Sequence, residues 1–331
     1  MNYIGSKQRL LPFLHASITQ VVQKDLKDCV FCDLFAGTGI VGRSFKPHCK
    51  NIISNDLEYY SYILNKNYIA NTQPLDYEEH LYFLNQLEGD KGFIFEEYSE
   101  NGKANRMYFS AYNGAKIDAI RQQIESWNVN REITQELYWF LLASLLESAD
   151  KVANTASVYG AFLKNIKKTA QQNIVLSPAT FVPTSQENTV YQKNSNTLIH
   201  EISGDILYLD PPYNARQYGA NYHLLNTIGY YDTFIPAGKT GLRQYNKSLY
   251  CTSKEVEKQF AELIQAAQFQ YIFVSYNNEG LMSPTMIQSI LENNGKYSLY
   301  TKDYQRFKAD KTENRNHVAN STTEYLHVLE K

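Results

Sequence analysis

Four consecutive residues, Asp210-Pro211-Pro212-Tyr213, have the types and spacing to do chemistry, and they follow directly on the apolar run Ile206-Leu207-Tyr208-Leu209. Neither proline can donate a backbone N–H, and each fixes its own φ, so the peptide is stiff and offers only acceptors. The Asp210 carboxylate and the Pro211 carbonyl can then both point at one group carrying two N–H donors. An aromatic amine has two such donors, and Tyr213 supplies a ring on which a planar base could stack. Taken alone, Pro-Pro serves equally well to end a strand, with Tyr213 as a rim residue.

A second constellation lies near the start of the chain. Phe35-Ala36-Gly37-Thr38-Gly39-Ile40-Val41-Gly42 contains G-x-G-x-x-G directly after the apolar stretch 30–35. Glycine lets backbone approach a ligand closely, and a helix start offers unpaired N–H groups. Asp56 follows about twenty residues on, at the end of a second apolar stretch, where a carboxylate can accept both hydroxyls of a ribose. The spacing predicts an adenosine-containing cofactor, and both NAD and S-adenosyl-L-methionine satisfy it. Asp33 tilts the choice. A buried carboxylate beside the loop would repel a pyrophosphate, yet it could help hold the cationic methionine part of S-adenosyl-L-methionine.

These residues need a sheet beneath them. Residues 206–209 have the composition of a strand buried on both faces, and open α/β sheets place ligands at the carboxyl ends of such strands. Helix is expected at about 11–22 and 57–70, and strand at 30–35, 51–54 and 189–192. After the 206–209 strand the pattern continues with helix at 254–267, strand at 271–275, helix at 284–291 and a last strand at 324–330. Residues 306–322 are polar and basic enough for a mobile loop. Between about 72 and 186 the strand–helix alternation stops. There 117–127 and 134–150 carry helical periodicity, and 137–146 is apolar almost all round. The expected organisation is an α/β catalytic domain over 1–71 and 187–331, interrupted by a mostly helical insert over 72–186.

With 331 residues the chain can bury a substantial core, and its net charge of −2 does not advertise a nucleic-acid partner. The distribution says more than the total. Residues 72–100 hold eight acids and one lysine, so the remainder is net positive. The stretches 103–121 and 151–168 are locally basic, and 302–315 has five basic residues among three acids. Basic residues interleaved with amides and aromatics, as in Tyr108-Phe109-Ser110-Ala111-Tyr112-Asn113 and in 154–168, suit phosphate and base-edge contacts.

No apolar run approaches the length that spans a bilayer, and residues 1–14 lack the hydrophobic core of a signal peptide; the expected location is cytoplasmic. Cys29, Cys32, Cys49 and Cys251 are too few for a disulfide scaffold, and Cys29-x-x-Cys32 reads as buried thiols within a strand. The seven histidines show no paired spacing that would make a metal site.

Taken together these motifs resemble the alpha-group (Dam-like) N6-adenine-specific DNA methyltransferases, and they come in that family's order. Tyr3 and Lys7 resemble the N-terminal cofactor motif, an aromatic and a lysine four apart. Asp33-Leu34-Phe35-Ala36-Gly37-Thr38-Gly39 resembles the glycine-loop motif, with Asp56 as ribose ligand and Leu57 beside it. Asp210-Pro211-Pro212-Tyr213 resembles the catalytic motif. The stretch 210–227, with Asn214-Ala215-Arg216-Gln217-Tyr218 and Asn221-Tyr222-His223, further resembles a restriction–modification branch. The family often has an aspartate near the cofactor adenine where this chain reads Asn194-Ser195-Asn196.

The resemblance implies a Rossmann-like class I methyltransferase sheet, with target recognition in the insert and S-adenosyl-L-methionine as methyl donor. Double-stranded DNA would be the partner, no membrane or metal would be involved, and in that branch the further partner would be a cognate restriction endonuclease. Competing readings keep the chemistry on cytosine N4 or on RNA adenine. A nicotinamide-dependent oxidoreductase is motivated by the glycine fingerprint alone and leaves Tyr3, Lys7 and Asp210–Tyr213 without work.

Overall fold

A computed structural model describes residues 4–278, 280–305 and 321–331. Tyr3 lies outside them. So does most of the stretch expected as a mobile loop, save Ser321 and Thr322, which belong to the last strand.

The chain forms two compact units, one of residues 6–57, 184–217 and 247–331, the other of residues 1–5, 58–183 and 218–246. The first is built on a seven-stranded sheet: β1 Val30–Asp33, β2 Asn51–Asn55, β3 Thr189–Tyr191, β4 Ser203–Leu209, β5 Gln268–Asn277, β6 Lys296–Gln305 and β7 Ser321–Glu330. The strand order is β3-β2-β1-β4-β5-β7-β6. β3 through β5 are parallel neighbours, whereas β7 runs antiparallel between β5 and β6. This mixed sheet with flanking helices is the α/β, Rossmann-like methyltransferase arrangement that the strand pattern and resemblance imply. The order reverses between β1 and β4, and the crevice outside the carboxyl ends at such a reversal is where open α/β sheets bind ligands.

Burial explains why β4 could be read from composition. Ile206, Leu207, Tyr208 and Leu209 are all essentially inaccessible. Leu207 and Leu209 share one face with Cys32, Ile272 and Val274. Helix Val256–Ala266 covers that face with Val256, Phe260, Leu263 and Ile264, an i, i+4, i+7, i+8 stripe. Fully burying side chains of this size contributes about 1.5–3 kcal/mol each. On the opposite face Tyr208, Phe31 and Phe45 stack in sequence, at 6.4 and 4.5 Å between centroids. Asp205, at the start of β4, accepts the Val30 N–H at 2.7 Å and is paired with Lys24. All four cysteines are buried and free.

The second unit is helical. Gln135–Lys151 runs through its core with Leu137, Phe140, Leu141, Leu145 and Leu146, packed against Ile117, Ile120 and Ile124 of Ala111–Val129. Ser110 and Thr134 cap these two helices by accepting the N–H groups of Asn113 and Leu137. The unit also takes in Tyr59–Asn65 and His223–Tyr230, so it spans more of the chain than residues 72–186. No residue between 152 and 188 is in a helix or strand.

Unpaired backbone in so long a segment needs partners elsewhere. Buried amides and hydroxyls supply them. Asn113 Nδ2 donates to the carbonyls of Ala170 and Gln172, at 3.3 and 2.9 Å, while its Oδ1 accepts the Ile174 N–H at 2.8 Å. Asn154 binds the Met107 and Leu163 carbonyls and the Lys167 N–H. Asn85 brackets Leu176, and Ser144 takes the Ala179 N–H. Asn113, Asn154, Tyr108 and Tyr159, which stand in stretches whose composition suits phosphate and base-edge contacts but which residue by residue read as ordinary polar surface, are therefore interior residues.

Asn113→Ala should destabilise the protein by about 2–4 kcal/mol, since one substitution strands a buried N–H and two carbonyls. Denaturant unfolding measures the loss, and faster proteolytic nicking within 166–176 localises it. Unchanged stability would contradict the amide's structural role.

Candidate active site

The glycine loop joins β1 to the helix Ile40–Phe45. Gly37 and Gly39 have φ of 53° and 73°, a left-handed conformation that side chains with a Cβ rarely adopt. The Gly37 N–H donates to Asp56 Oδ2 at 2.8 Å, fastening the loop to the residue just past β2. Phe35, Thr38, Asp56 and Leu57 are partly exposed along this edge, and Ala36 is buried. Asn55, which sequence reasoning passed over, braces the same end of the sheet. Its Nδ2 donates to the carbonyls of Leu34 and Lys193, and its Oδ1 accepts the Lys193 N–H.

Asp33 ends β1 and is almost wholly buried. Oδ2 accepts the Gly42 N–H at 3.0 Å, while Oδ1 has no hydrogen-bond partner among the described residues. Burial pushes the carboxyl up to about 7; the Gly42 N–H opposes this, and the charges of Asp210 and Asp56 add to it. A buried carboxylate oxygen left unpaired is costly unless a cation or donor meets it. The donor set, one unmatched buried carboxylate beside a tight glycine loop and a second carboxylate at the next strand tip, fits a ligand with a cationic part and a ribose.

At the end of β4, Asp210 Oδ1 lies 3.1 Å from Lys7 Nζ. Lys7 sits on the short turn Lys7–Leu10 and is buried, and its ammonium reaches Glu324 Oε1 of β7 at 2.8 Å as well. Burial alone would lower the Lys7 pKa; Asp210 and Glu324 overcome it and hold the ammonium well above its usual range. Burial raises Asp210 to about 6, with Lys7 pulling it down and Glu324 pushing it up. The Asp210 side chain keeps 20 % of its surface accessible. Pro211 is buried, and Pro212 and Tyr213 are partly exposed; the Tyr213 carbonyl accepts the Leu281 N–H at 2.9 Å, tethering the motif to the segment after β5.

The structure thus brings Asp33, Asp210 and Lys7 to the carboxyl ends of β1 and β4, although Lys7 touches Asp210. Glu324 was missed. Its one sequence signal is that it continues the inward-facing set Leu326 and Val328 of β7, all three with no accessible surface. Tyr250 was missed too: its ring meets Phe35 edge-on at 5.1 Å, and its hydroxyl donates to Asn196 Oδ1 at 2.7 Å. Asn196 Nδ2 donates to the Gln259 carbonyl, so this amide is held by protein groups. Asn221-Tyr222-His223 belongs to the helical unit, where Tyr222 and His223 are core residues and the Tyr222 hydroxyl accepts the Ile4 N–H.

The family model of D12 class N6 adenine-specific DNA methyltransferases matches residues 3–290, which hold the glycine loop, Asp56, Lys7 and the Asp210–Tyr213 motif. The chain belongs to this family. The methyltransferase is similar to the type II methyltransferase M.NlaIII of Neisseria lactamica, 60 % identical over 332 residues that cover 100 % of this chain and 99 % of that protein. It is also similar to M.CviAII of Paramecium bursaria Chlorella virus 1, at 36 % identity over 98 % of this chain and 97 % of that one. M.FokI of Planomicrobium okeanokoites is 38 % identical over the whole chain, which spans about half of that relative's length (53 %). Membership in an adenine-specific DNA family removes the cytosine, RNA and oxidoreductase readings.

Proposed function

We propose that the methyltransferase acts as the modification half of a restriction–modification system. In this reading it takes its methyl group from S-adenosyl-L-methionine and places it on N6 of an adenine swung out of double-stranded DNA. The observation that carries this is Asp210: a mostly buried carboxylate that keeps 20 % of its surface accessible, in an acceptor-only Asp-Pro-Pro-Tyr peptide on the same sheet edge as Asp33 and the glycine loop. Asp33, Phe35 to Gly39, Asp56 and Leu57 would hold the cofactor together with Lys7 beside Asp210; Tyr3, the other residue of the N-terminal motif, lies outside the described residues. Bound there, the cofactor supplies a methyl group on a cationic sulfur.

The amine of adenine is a poor nucleophile because its lone pair is delocalised into the ring. Asp210 and the Pro211 carbonyl would each accept one of its hydrogens, turning the lone pair out of the ring plane, while Tyr213 stacks on the base. With the methyl group supplied by that sulfonium, the amine nitrogen would become cationic, and its surplus proton would pass to Asp210 or water. Positioning and preorganised negative charge beside the developing ammonium are the main sources of rate. A paired adenine hides this amine, so the base must be flipped out at a cost of a few kcal/mol. The helical unit, with Lys151, Lys164 and Lys168 exposed, is the proposed target-reading part.

Incubating the protein with methyl-labelled S-adenosyl-L-methionine and either DNA or RNA, then digesting to nucleosides, tests this directly. Label should appear in deoxyadenosine alone. Label in deoxycytidine or in RNA nucleosides, or none at all, would refute it.

A further inference from the structure

We propose that Glu324 is a positioning residue for methyl transfer: from β7 it pins the Lys7 ammonium against Asp210 and keeps the acceptor carboxylate oriented and electron-rich. This rests on the reading of Asp210 as the amine acceptor. Glu324 lies beyond residue 290, where the family match ends. What places it at the site is topology. β7 runs antiparallel, so its beginning sits at the carboxyl end of β5, with Glu324 opposite Asn277.

A fully buried carboxylate at an inward position, followed by Leu326 and Val328 on the same face, is expensive where leucine would fit the pattern. Two partners offset the cost. Lys7 Nζ donates to Oε1 at 2.8 Å, and Ser275 Oγ donates to the same oxygen at 2.5 Å. Oε2 has no hydrogen-bond partner among the described residues. Replacing such a buried ionic cluster by apolar groups often costs nothing in stability, so stability is a weak reason for its charge.

The site chemistry supplies a stronger one. Lys7 paired with Asp210 alone would neutralise the acceptor one to one. Sharing the ammonium between two carboxylates leaves the trio with one net negative charge, available to the amine as it becomes cationic. The shared ammonium also fixes Asp210 Oδ1, leaving Oδ2 for the incoming N–H. Among the described residues, Tyr208 of β4, Tyr276 of β5 and Asp33 of β1 are the other titratable groups acting on this cluster.

Glu324→Gln keeps the shape and removes the charge. We expect kcat to fall about tenfold with KM for DNA and cofactor unchanged within about twofold. The acid limb of the kcat–pH profile should move down by about one pH unit, because Asp210 then has Lys7 to itself and loses a repelling neighbour. In a Lys7→Met background the same substitution should add nothing, the signature of a residue acting through another. An unmoved acid limb, or losses that simply add in the double variant, would overturn the proposal. Should Glu324→Gln not fold, Ser275→Ala loosens the same carboxylate with both charges kept; kcat about threefold lower supports the proposal, and unchanged kcat overturns it. An inactive Asp210→Ala beside a normal Glu324→Gln sinks the Glu324 assignment alone, whereas an active Asp210→Ala sinks the reading of the site.

Discussion

Asp210→Ala should lose methyl transfer by about a thousandfold or more while the protein still folds and binds DNA. Removing one preorganised group at developing charge costs on the order of 10²–10³ in kcat, and here the same deletion also leaves the Lys7 ammonium, paired with Glu324 alone, beside the amine with no acceptor between them. Fold stability should not follow activity. Asp210 sits with its carboxyl raised to about 6, so between the ordinary carboxylate range and that value the folded state binds the proton more tightly than the unfolded chain. Stability contributed by the protonated form is present at low pH and lost as pH rises through about 6. At pH 8 the alanine variant should therefore melt no lower than the wild type, with Lys7 still paired to Glu324. Single-turnover methylation, DNA binding by anisotropy and thermal melting separate the outcomes. Full activity would refute the acceptor role, and lost activity with a collapsed melt would leave folding as its cause. In the wild type the rate should fall as pH drops through about 6, where Asp210 takes up a proton.

Asp33→Asn should affect binding and stability in opposite directions. Burial and the neighbouring carboxylates hold Asp33 at about 7. A cationic ligand must first meet it as a carboxylate, so affinity for S-adenosyl-L-methionine should rise with pH through about 7 and level off above. The asparagine variant should bind about ten- to a hundredfold more weakly at pH 8, as expected for losing a charged hydrogen bond, and its pH dependence should flatten. Without cofactor the balance reverses. Because the folded pKa is raised, Asp33 costs stability above pH 7, and the variant should melt higher than the wild type at pH 8. Titration calorimetry at pH 6 and 8 and melting of the unliganded proteins provide the check. Equal affinity in both proteins would remove Asp33 from the cofactor site.

The two charged residues behind these expectations were both readable in the sequence. Asp33 and Asp210 stand at the ends of short apolar runs, where a carboxylate breaks an otherwise buried pattern; β1, β2, β4 and β5 were legible for the same reason, since a strand covered on both faces must be apolar throughout. β6 was not. Its residues, Lys-Tyr-Ser-Leu-Tyr-Thr-Lys-Asp-Tyr-Gln, make an edge strand, and edges carry charge that masks the alternation. The helices Glu78–Gln86 and Phe93–Tyr98 escaped because nine and six residues are too short for a periodic stripe to stand out, and tertiary packing rather than periodicity holds them. Asn113 and Asn154 looked like surface residues because amides usually are. They are interior because 37 residues without helix or strand leave backbone groups that only side chains can satisfy.

From sequence alone came the chemistry and its order: an acceptor-only peptide after a buried strand, a glycine turn that demands left-handed backbone, and a carboxylate at each strand tip. These are local properties, set by φ restriction, donor count and alternation over a few residues, and neighbours in the chain decide them. Tertiary structure alone decided that Lys7 and Glu324, 317 positions apart, meet beside Asp210. Coulomb energy depends on distance through space, and only the antiparallel insertion of β7 into a parallel sheet brings those charges within reach of one another.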